Sequence, residues 1–347
     1  MIEEAIYNSP QTEEIACPVC DEPCLAPPLY RYTATQAATH FCPASRDPDR
    51  HQRLKEIINR LWSDEDCAIY RCAECGFGFG VPFVGGDAEF YMILHEQRGY
   101  PIWRWDYEVA ITHALLKFNG GRILDIGAGN GRFLRTLDPI WERYAVETSD
   151  VNRSDLEKAG VRVFPDLSVA AEQEAGTFQI VTLFQVLEHI ATFNQTIESC
   201  RDLLSPGGHL VITVPDCDAM IRQQSLTGCH DMPPNHINKW TVKSLALALS
   251  KAGFVVKQAI DEPPSLLNLK SSLHMKVMAD AAIPNSLAAQ AYRLKNKSVR
   301  IAALACLGLP ALATMLPHAR QLSAGGAFAV VACTEEISPW STNSRQE

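Results

Sequence analysis

The chain has 347 residues, 47% of them hydrophobic, enough to bury one full α/β core and to supply one or two smaller modules. Its formal net charge is -9 and no block of lysines and arginines exceeds a few residues, so the field of the whole molecule repels polyphosphates and disfavours a nucleic-acid substrate. The amino terminus, MIEEAIYNSPQTEE, is acidic and lacks the basic and apolar regions of a secretory signal, which predicts a cytoplasmic protein.

Residues 1–100 are rich in Cys, Pro and Gly without a sustained alternation of strand and helix, and they read as a separate module. Twelve cysteines in a reducing compartment are poor candidates for disulfides, and seven of them precede residue 76. Cys17-Pro18-Val19-Cys20 and Cys72-Ala73-Glu74-Cys75-Gly76 form two C-x2-C knuckles. Four thiolates from two such turns make a closed tetrahedral zinc site, and Gly76 permits the turn that aims amides at sulfur. The 51 residues between the knuckles exceed the spacing of an ordinary zinc ribbon. Cys24, Cys42 and Cys67 are spare, Cys24 could replace a ligand, and a set of buried or redox cysteines is the plainer alternative.

From Pro101 the texture changes. A helical pattern (Trp105, Val109, Leu115, Leu116) runs into the helix-stopping Asn119-Gly120-Gly121, and strand-like runs follow at 122–126, 144–146, 161–164, 180–184 and 210–214. Two more are expected at 253–260 and 327–333, with an Ala/Leu-rich helical stretch over 261–325 between them. The pattern predicts an α/β fold, a doubly wound, mostly parallel seven-stranded sheet with a helical insertion before its last strand. The expected units are 1–100, 101–260 and 261–347.

The segment 123–131, Ile-Leu-Asp-Ile-Gly-Ala-Gly-Asn-Gly, ends a buried strand in a carboxylate and turns through three glycines into a helix, which marks a ligand site at the carboxyl edge of the sheet. A dinucleotide fingerprint needs its third glycine five positions after the first, where this chain has Arg132, so a nicotinamide cofactor is disfavoured. Glu147, twenty residues after Gly127, suits the two hydroxyls of a ribose in either case. Asp125 would favour a cationic amino-acid moiety over a pyrophosphate.

With these residues the sequence resembles the class I, Rossmann-like, S-adenosylmethionine-dependent methyltransferases. The stretch 123–131 matches their first motif, Phe178 to Ile190 looks like their fourth-strand motif ending in Leu187-Glu188-His189, and Leu204-Ser205-Pro206-Gly207-Gly208 looks like their turn into strand five. Gln179 stands where that family usually has Asp. The resemblance implies that Asp125, Gly127, Gly129 and Gly131 line the methionine end of the cofactor, that Glu147 holds the ribose, that Asp166 faces the adenine, and that Gln185 is cofactor-binding. Asp166 reads equally well as a helix cap. Some members of the family that act on sugars, natural products or ribosomal RNA carry a similar amino-terminal zinc-knuckle pair, which covers the acceptor site.

Methyl transfer to a hydroxyl requires alignment and removal of a proton. His189 and His236 follow strands four and five and are the candidate bases, each with a purely structural alternative; Pro233 and Pro234 would stiffen the loop and Trp240 would wall the acceptor site. The expected acceptor is a hydroxyl of a small molecule or saccharide, lipid-linked ones included, with a ribosomal RNA methyltransferase, an NAD-dependent oxidoreductase and a non-catalytic cofactor-binding protein as alternatives. Residues 301–317 are uncharged and follow Arg293, Lys295, Lys297 and Arg300. Gly308 and Pro310 interrupt that run, so a buried lid helix is expected, with peripheral contact at the inner face of a membrane through 293–317 as the alternative.

Overall fold

The computed structural model describes residues 15–96 and 104–334; the acidic amino terminus and the boundary at Pro101 lie outside the described residues. The amino-terminal part runs β1 (Tyr30–Tyr32), α1 (Ala34–Phe41), α2 (Pro48–Leu61), β2 (Cys67–Arg71), β3 (Gly78–Val81) and α3 (Ala88–His95). Local chemistry starts these helices: Thr33 and Gln36 form a capping box on α1, and Asp47 caps α2 with Pro48 in its first turn. The strand–helix alternation was illegible because the strands are only three to five residues long.

After the break come α4 (Trp105–His113), β4 (Gly121–Ile126), α5 (Arg132–Arg135), β5 (Trp141–Val146), α6 (Asp150–Lys158), β6 (Arg162–Phe164), α7 (Leu167–Glu174), β7 (Phe178–Phe184), α8 (Phe193–Leu203) and β8 (Leu204–Pro215). The chain continues through α9 (Cys217–Thr227), β9 (Asn238–Lys239), α10 (Val242–Lys251) and β10 (Phe254–Asp261), then α11 (Leu266–Ala282), α12 (Leu287–Tyr292), α13 (Lys297–Met315), α14 (Ala319–Ser323) and β11 (Ala327–Thr334). Seven strands form one sheet in the order β10-β11-β8-β7-β4-β5-β6. It is parallel from β8 to β6, while β11 runs antiparallel to both β8 and β10. This is the expected doubly wound, mostly parallel sheet with a helical insertion before its last strand. Ile123, Leu124, Val181, Ile212 and Val330 are fully buried, because helices cover both faces and leave the central strands no polar side.

Three local expectations are corrected. The helix at Trp105 ends at His113 and a 3-10 turn carries Leu115–Lys117. The Leu204–Gly208 segment, expected as a turn, belongs to β8, and a register shift against β7 between Phe178 and Ile180 absorbs it. Pro310 does not break its helix but lies inside α13.

The amino-terminal part is not self-contained. Its four-stranded sheet has the order β1-β2-β3-β9, and Lys239 and Asn238 pair with Gly78 and Phe79. Cys17, Val19, Phe77 and Phe79 share one buried cluster with Leu124, Val181 and Ile212. At the seam, Trp240 is fully buried, with its ring 4.6 Å from Phe77 and 5.0 Å from Phe193. Trp240 therefore fastens the small sheet to the large one and does not wall an acceptor site.

The insertion is also unlike its expectation. Only Gly308, Ala311 and Met315 of α13 are buried, whereas Ile301, Leu309 and Leu316 are 57%, 68% and 59% exposed. An apolar composition forecast burial, yet α13 packs on α11 and α12 through one side, and its outer side is exposed among the described residues.

Candidate functional site

The loop after β4 is built by glycines that the backbone demands. Gly127, Gly129 and Gly131 all have positive φ, at 73°, 55° and 69°. A Cβ on Gly127 would stand 2.6 Å from Val186 Cγ2, and one on Gly131 2.2 Å from Leu156 Cδ2. The turn is thus pressed against the loop after β7 on one side and α6 on the other, and only glycine fits. Gly127 also donates its amide to the Val146 carbonyl at 2.8 Å, which ties the turn to the end of β5.

Glu147, just beyond β5, accepts the amide of Gly129 at 2.7 Å and that of Ser149 at 2.8 Å through its two carboxylate oxygens. Each oxygen keeps a second lone pair, so the group can fix the loop and still accept a ribose hydroxyl. Asp125 is the penultimate residue of β4, just before the glycine loop. It is 3% exposed beneath the loop, takes a hydrogen bond from Thr182 Oγ1 at 2.8 Å, and burial pushes its carboxyl up to about 7 against that bond. Asp106, which the sequence reading missed, is fully buried beside it, held by Arg104 and by Thr213 Oγ1 at 2.9 Å.

Gln185, immediately after β7, has φ 57°, a left-handed conformation for a non-glycine residue, and its backbone amide donates to Thr213 O at 2.9 Å. Asp166 is exposed and caps α7, with Oδ1 accepting from Val169 N at 3.0 Å and from Ser168 Oγ at 2.6 Å. The cap is what the structure shows for it.

The two histidines come together, with ring centres 4.8 Å apart. His189 Nδ1 lies 2.6 Å from the carbonyl of Asn235; a carbonyl only accepts, so Nδ1 carries a proton, while Nε2 stands 3.9 Å from Glu188 Oε1. His236 Nδ1 lies 2.6 Å from Asp231 Oδ1, and Asp231 also takes Lys239 Nζ. Burial opposes charge on both partners, yet the pairing wins: Asp231 is held well below the usual carboxylate range and His236 is raised. Glu188 is 1% exposed, both of its oxygens lack a hydrogen-bond partner among the described residues, and burial lifts it to about 7 while His236 opposes. One ligand atom each from Glu188, His189 and His236 lie within 4.8 Å of one another, a donor set that suits a divalent cation as well as a proton relay. The amino-terminal part roofs this cluster: a Cβ on Gly85 would stand 2.5 Å from His189 O, and the Tyr91 ring meets His189 edge-on at 5.7 Å. Glu188 was visible in the Leu-Glu-His motif, whereas the Asp231 and Lys239 partnership depends on how the loop folds.

A cavity of about 250 Å³ opens on the other side of Gln185, lined by that residue and by Arg222, Gln223, Glu262, Asn268 and Ser272. It lies between α9 and the insertion helices α11 and α14. Neither His189 nor His236 lines it.

The knuckle sulfurs converge. Cys17 Sγ is 3.6 Å from Cys75 Sγ, Cys20 Sγ is 3.4 Å from Cys72 Sγ, and all four lie within 4.8 Å. Thiolates ~2.3 Å from a zinc stand about 3.8 Å apart at a tetrahedron's edges, so the donor set fits that ion. Cys24 touches the edge of this group, where burial first and Cys72 second push its thiol up to about 11. Cys42 and Cys67 are buried apart from it. The core holds both knuckles: Lys251 donates to Val19 O at 2.7 Å, and Thr241 Oγ1 to Cys75 O at 3.1 Å.

Residues 102–259 match the family model described as a methyltransferase domain. The ubiquinone biosynthesis O-methyltransferase of Xanthomonas axonopodis pv. citri is 31% identical over 108 residues, 29% of this chain and 45% of that protein. The enzyme of the same name from Paraburkholderia xenovorans is 31% identical over 170 residues, 47% of this chain and 60% of that protein. The chain thus spans about half the length of the curated relatives it matches. Among solved structures, a SAM-dependent methyltransferase from Archaeoglobus fulgidus is similar at 15% identity and a TM-score of 0.41, over 72% of this chain and all of that one. A [4+2]-cyclase is similar at 19% identity and a TM-score of 0.43, over 69% and 85%.

Proposed function

We propose that this protein is an S-adenosylmethionine-dependent methyltransferase acting on a hydroxyl of a small molecule, with a structural zinc ion in the four-cysteine cluster. The observation that carries the reading is the glycine loop clamped by Glu147 at the carboxyl edge of the sheet. It offers a close backbone approach and a carboxylate with free lone pairs, at a spacing that departs from the dinucleotide rule. The match of residues 102–259 to a methyltransferase domain supports it, and the O-methyltransferase names of partial relatives favour a hydroxyl acceptor.

When bound, the sulfonium cofactor supplies an electrophilic methyl group. Glu147 would accept the ribose hydroxyls, and Gly127 and Gly129 would let the backbone lie against the ligand. The polar cavity beyond Gln185, which neither histidine lines, has side chains suited to a part of a hydroxylated acceptor remote from the reacting oxygen, saccharides included. His189 or His236 would take the acceptor proton; His236 does so only in its neutral form, which its pairing with Asp231 postpones to higher pH. The knuckles brace the small sheet that roofs the histidines.

Calorimetry tests the reading. S-adenosylhomocysteine should bind with one site per chain and NADH should not; NADH binding without S-adenosylhomocysteine binding would replace it with an oxidoreductase. The charge balance weighs against the ribosomal RNA alternative, and a salt-dependent RNA affinity would restore it.

A further inference from the structure

We propose that the outer face of α13, with the basic turn before it, docks on an anionic lipid bilayer. The face is continuous: Ile301, Ala305, Leu309 and Ala313 recur at every fourth position along a 19-residue helix, all exposed, and Leu316 extends the row. Spacing by four places these side chains above one another on one side. Ile283 and Leu287, 57% and 68% exposed, add apolar surface in the same insertion. A row of this length differs from the scattered apolar residues of an ordinary surface.

Charge identifies the occupant. Between residues 281 and 334 there is no Asp or Glu, while Arg293, Lys295, Lys297, Arg300 and Arg320 fall in that interval. The chain as a whole carries -9, so positive charge has been gathered where the apolar face begins. A second copy would set the same basic turn against a face flanked by its own, whereas anionic headgroups complement the turn and acyl chains accept the face.

The helix lies on the bilayer and does not cross it. Lys297–Ser323 is long and apolar enough to span by length and composition. The insertion, however, leaves from β10 and returns to β11, and these two strands are paired along most of their length, so a single crossing would separate hydrogen-bonded neighbours. Behind the docking face, α11 carries Asn268 and Ser272 into the polar cavity, which brings that cavity close to the lipid surface.

The test uses the full chain and vesicles of phosphatidylcholine with or without phosphatidylglycerol, and it needs neither cofactor nor acceptor, so its outcome is separate from the methyltransferase reading. Binding to the anionic vesicles should exceed binding to the neutral ones and should weaken with salt. Lys295→Glu, Lys297→Glu and Arg300→Glu together should weaken it at least about tenfold, since each basic side chain near an anionic surface contributes severalfold. Ile301→Ser with Leu309→Ser should weaken it with the basic turn intact, while melting temperature stays at that of the wild type in both variants. The proposal is overturned if the wild type does not sediment with anionic vesicles, if neutral vesicles bind it equally, or if it is a dimer in solution that the double serine variant dissociates.

Discussion

Replacing Glu147 by Gln keeps the shape of the side chain and removes one acceptor. In the wild type both oxygens accept backbone amides, from Gly129 and Ser149, and the residue is 8% exposed, so water replaces little of what is lost. Hydrogen bonds to a charged group are worth roughly 1.5–3 kcal/mol each, a neutral one about 1 kcal/mol, and a buried donor left without a partner costs about 1–3 kcal/mol. Gln can accept one of the two amides and must turn its own NH2 toward the other, so the loss to the fold is about 2–4 kcal/mol. A ribose diol loses a charged acceptor at the same time, which corresponds to at least about a tenfold rise in Kd at 1.4 kcal/mol per decade. Thermal melting and calorimetry with S-adenosylhomocysteine, run on wild type and Glu147→Gln, read both quantities. A lower melting temperature with Kd unchanged within about twofold would leave Glu147 as a loop clamp and refute the ribose assignment. No change in either would refute the clamp as well.

Asp125→Asn should alter the pH dependence of stability. The folded state holds the carboxyl at about 7, above its ordinary value, so between about pH 4 and 7 the folded protein retains a proton that the unfolded chain releases, and stability falls as pH rises. Asn can still accept from Thr182, and the melting temperature of the variant should therefore gain on wild type from pH 4 toward 7 and level off above it; parallel curves would exclude the effect. His236→Asn should lower turnover at least about tenfold with cofactor affinity within about twofold, and wild-type turnover should climb with pH as the raised imidazole loses its proton. Equal turnover of the two proteins at saturating acceptor from about pH 6 to 9 would assign His236 to architecture and leave His189 or simple proximity. Metal analysis should find about one zinc per chain, and Cys72→Ser should release it with a loss of thermal stability; metal-free protein that melts with the holo form would remove the zinc assignment.

What the sequence made legible was local. The turn at 123–131 writes its φ angles in glycines, and each knuckle writes its geometry in the two residues between its cysteines. The parallel strands announce themselves because both faces are buried and their apolar runs are nearly unbroken. What stayed hidden depends on how the chain folds. Asp231 becomes the partner of both His236 and Lys239 only in the folded loop, and the cavity beyond Gln185 exists only where α11 and α14 meet α9. Trp240 looked like a cleft residue since nothing in its neighbourhood tells that Phe77, far away in sequence, covers it. The exposure of α13 was hidden for another reason: hydropathy reports the cost of leaving a residue in water and is silent on whether a neighbour arrives to cover it.

The two-residue strand β9 also bears on the order in which the protein can be made. Gly78 pairs with Lys239, about 160 residues later. A ribosome that has released the cysteine-rich segment must therefore add the whole glycine loop, the central strands and α9 before the small sheet can close. Until then β3 presents an unpaired edge and Phe77 lacks the indole that covers it. Contacts this far apart form late, because the loop between them must be closed before they return any energy. Truncation before residue 238 should consequently leave an amino-terminal fragment with an open sheet edge, prone to associate, while the knuckle cysteines, all within the first 75 residues, are already synthesised and able to meet.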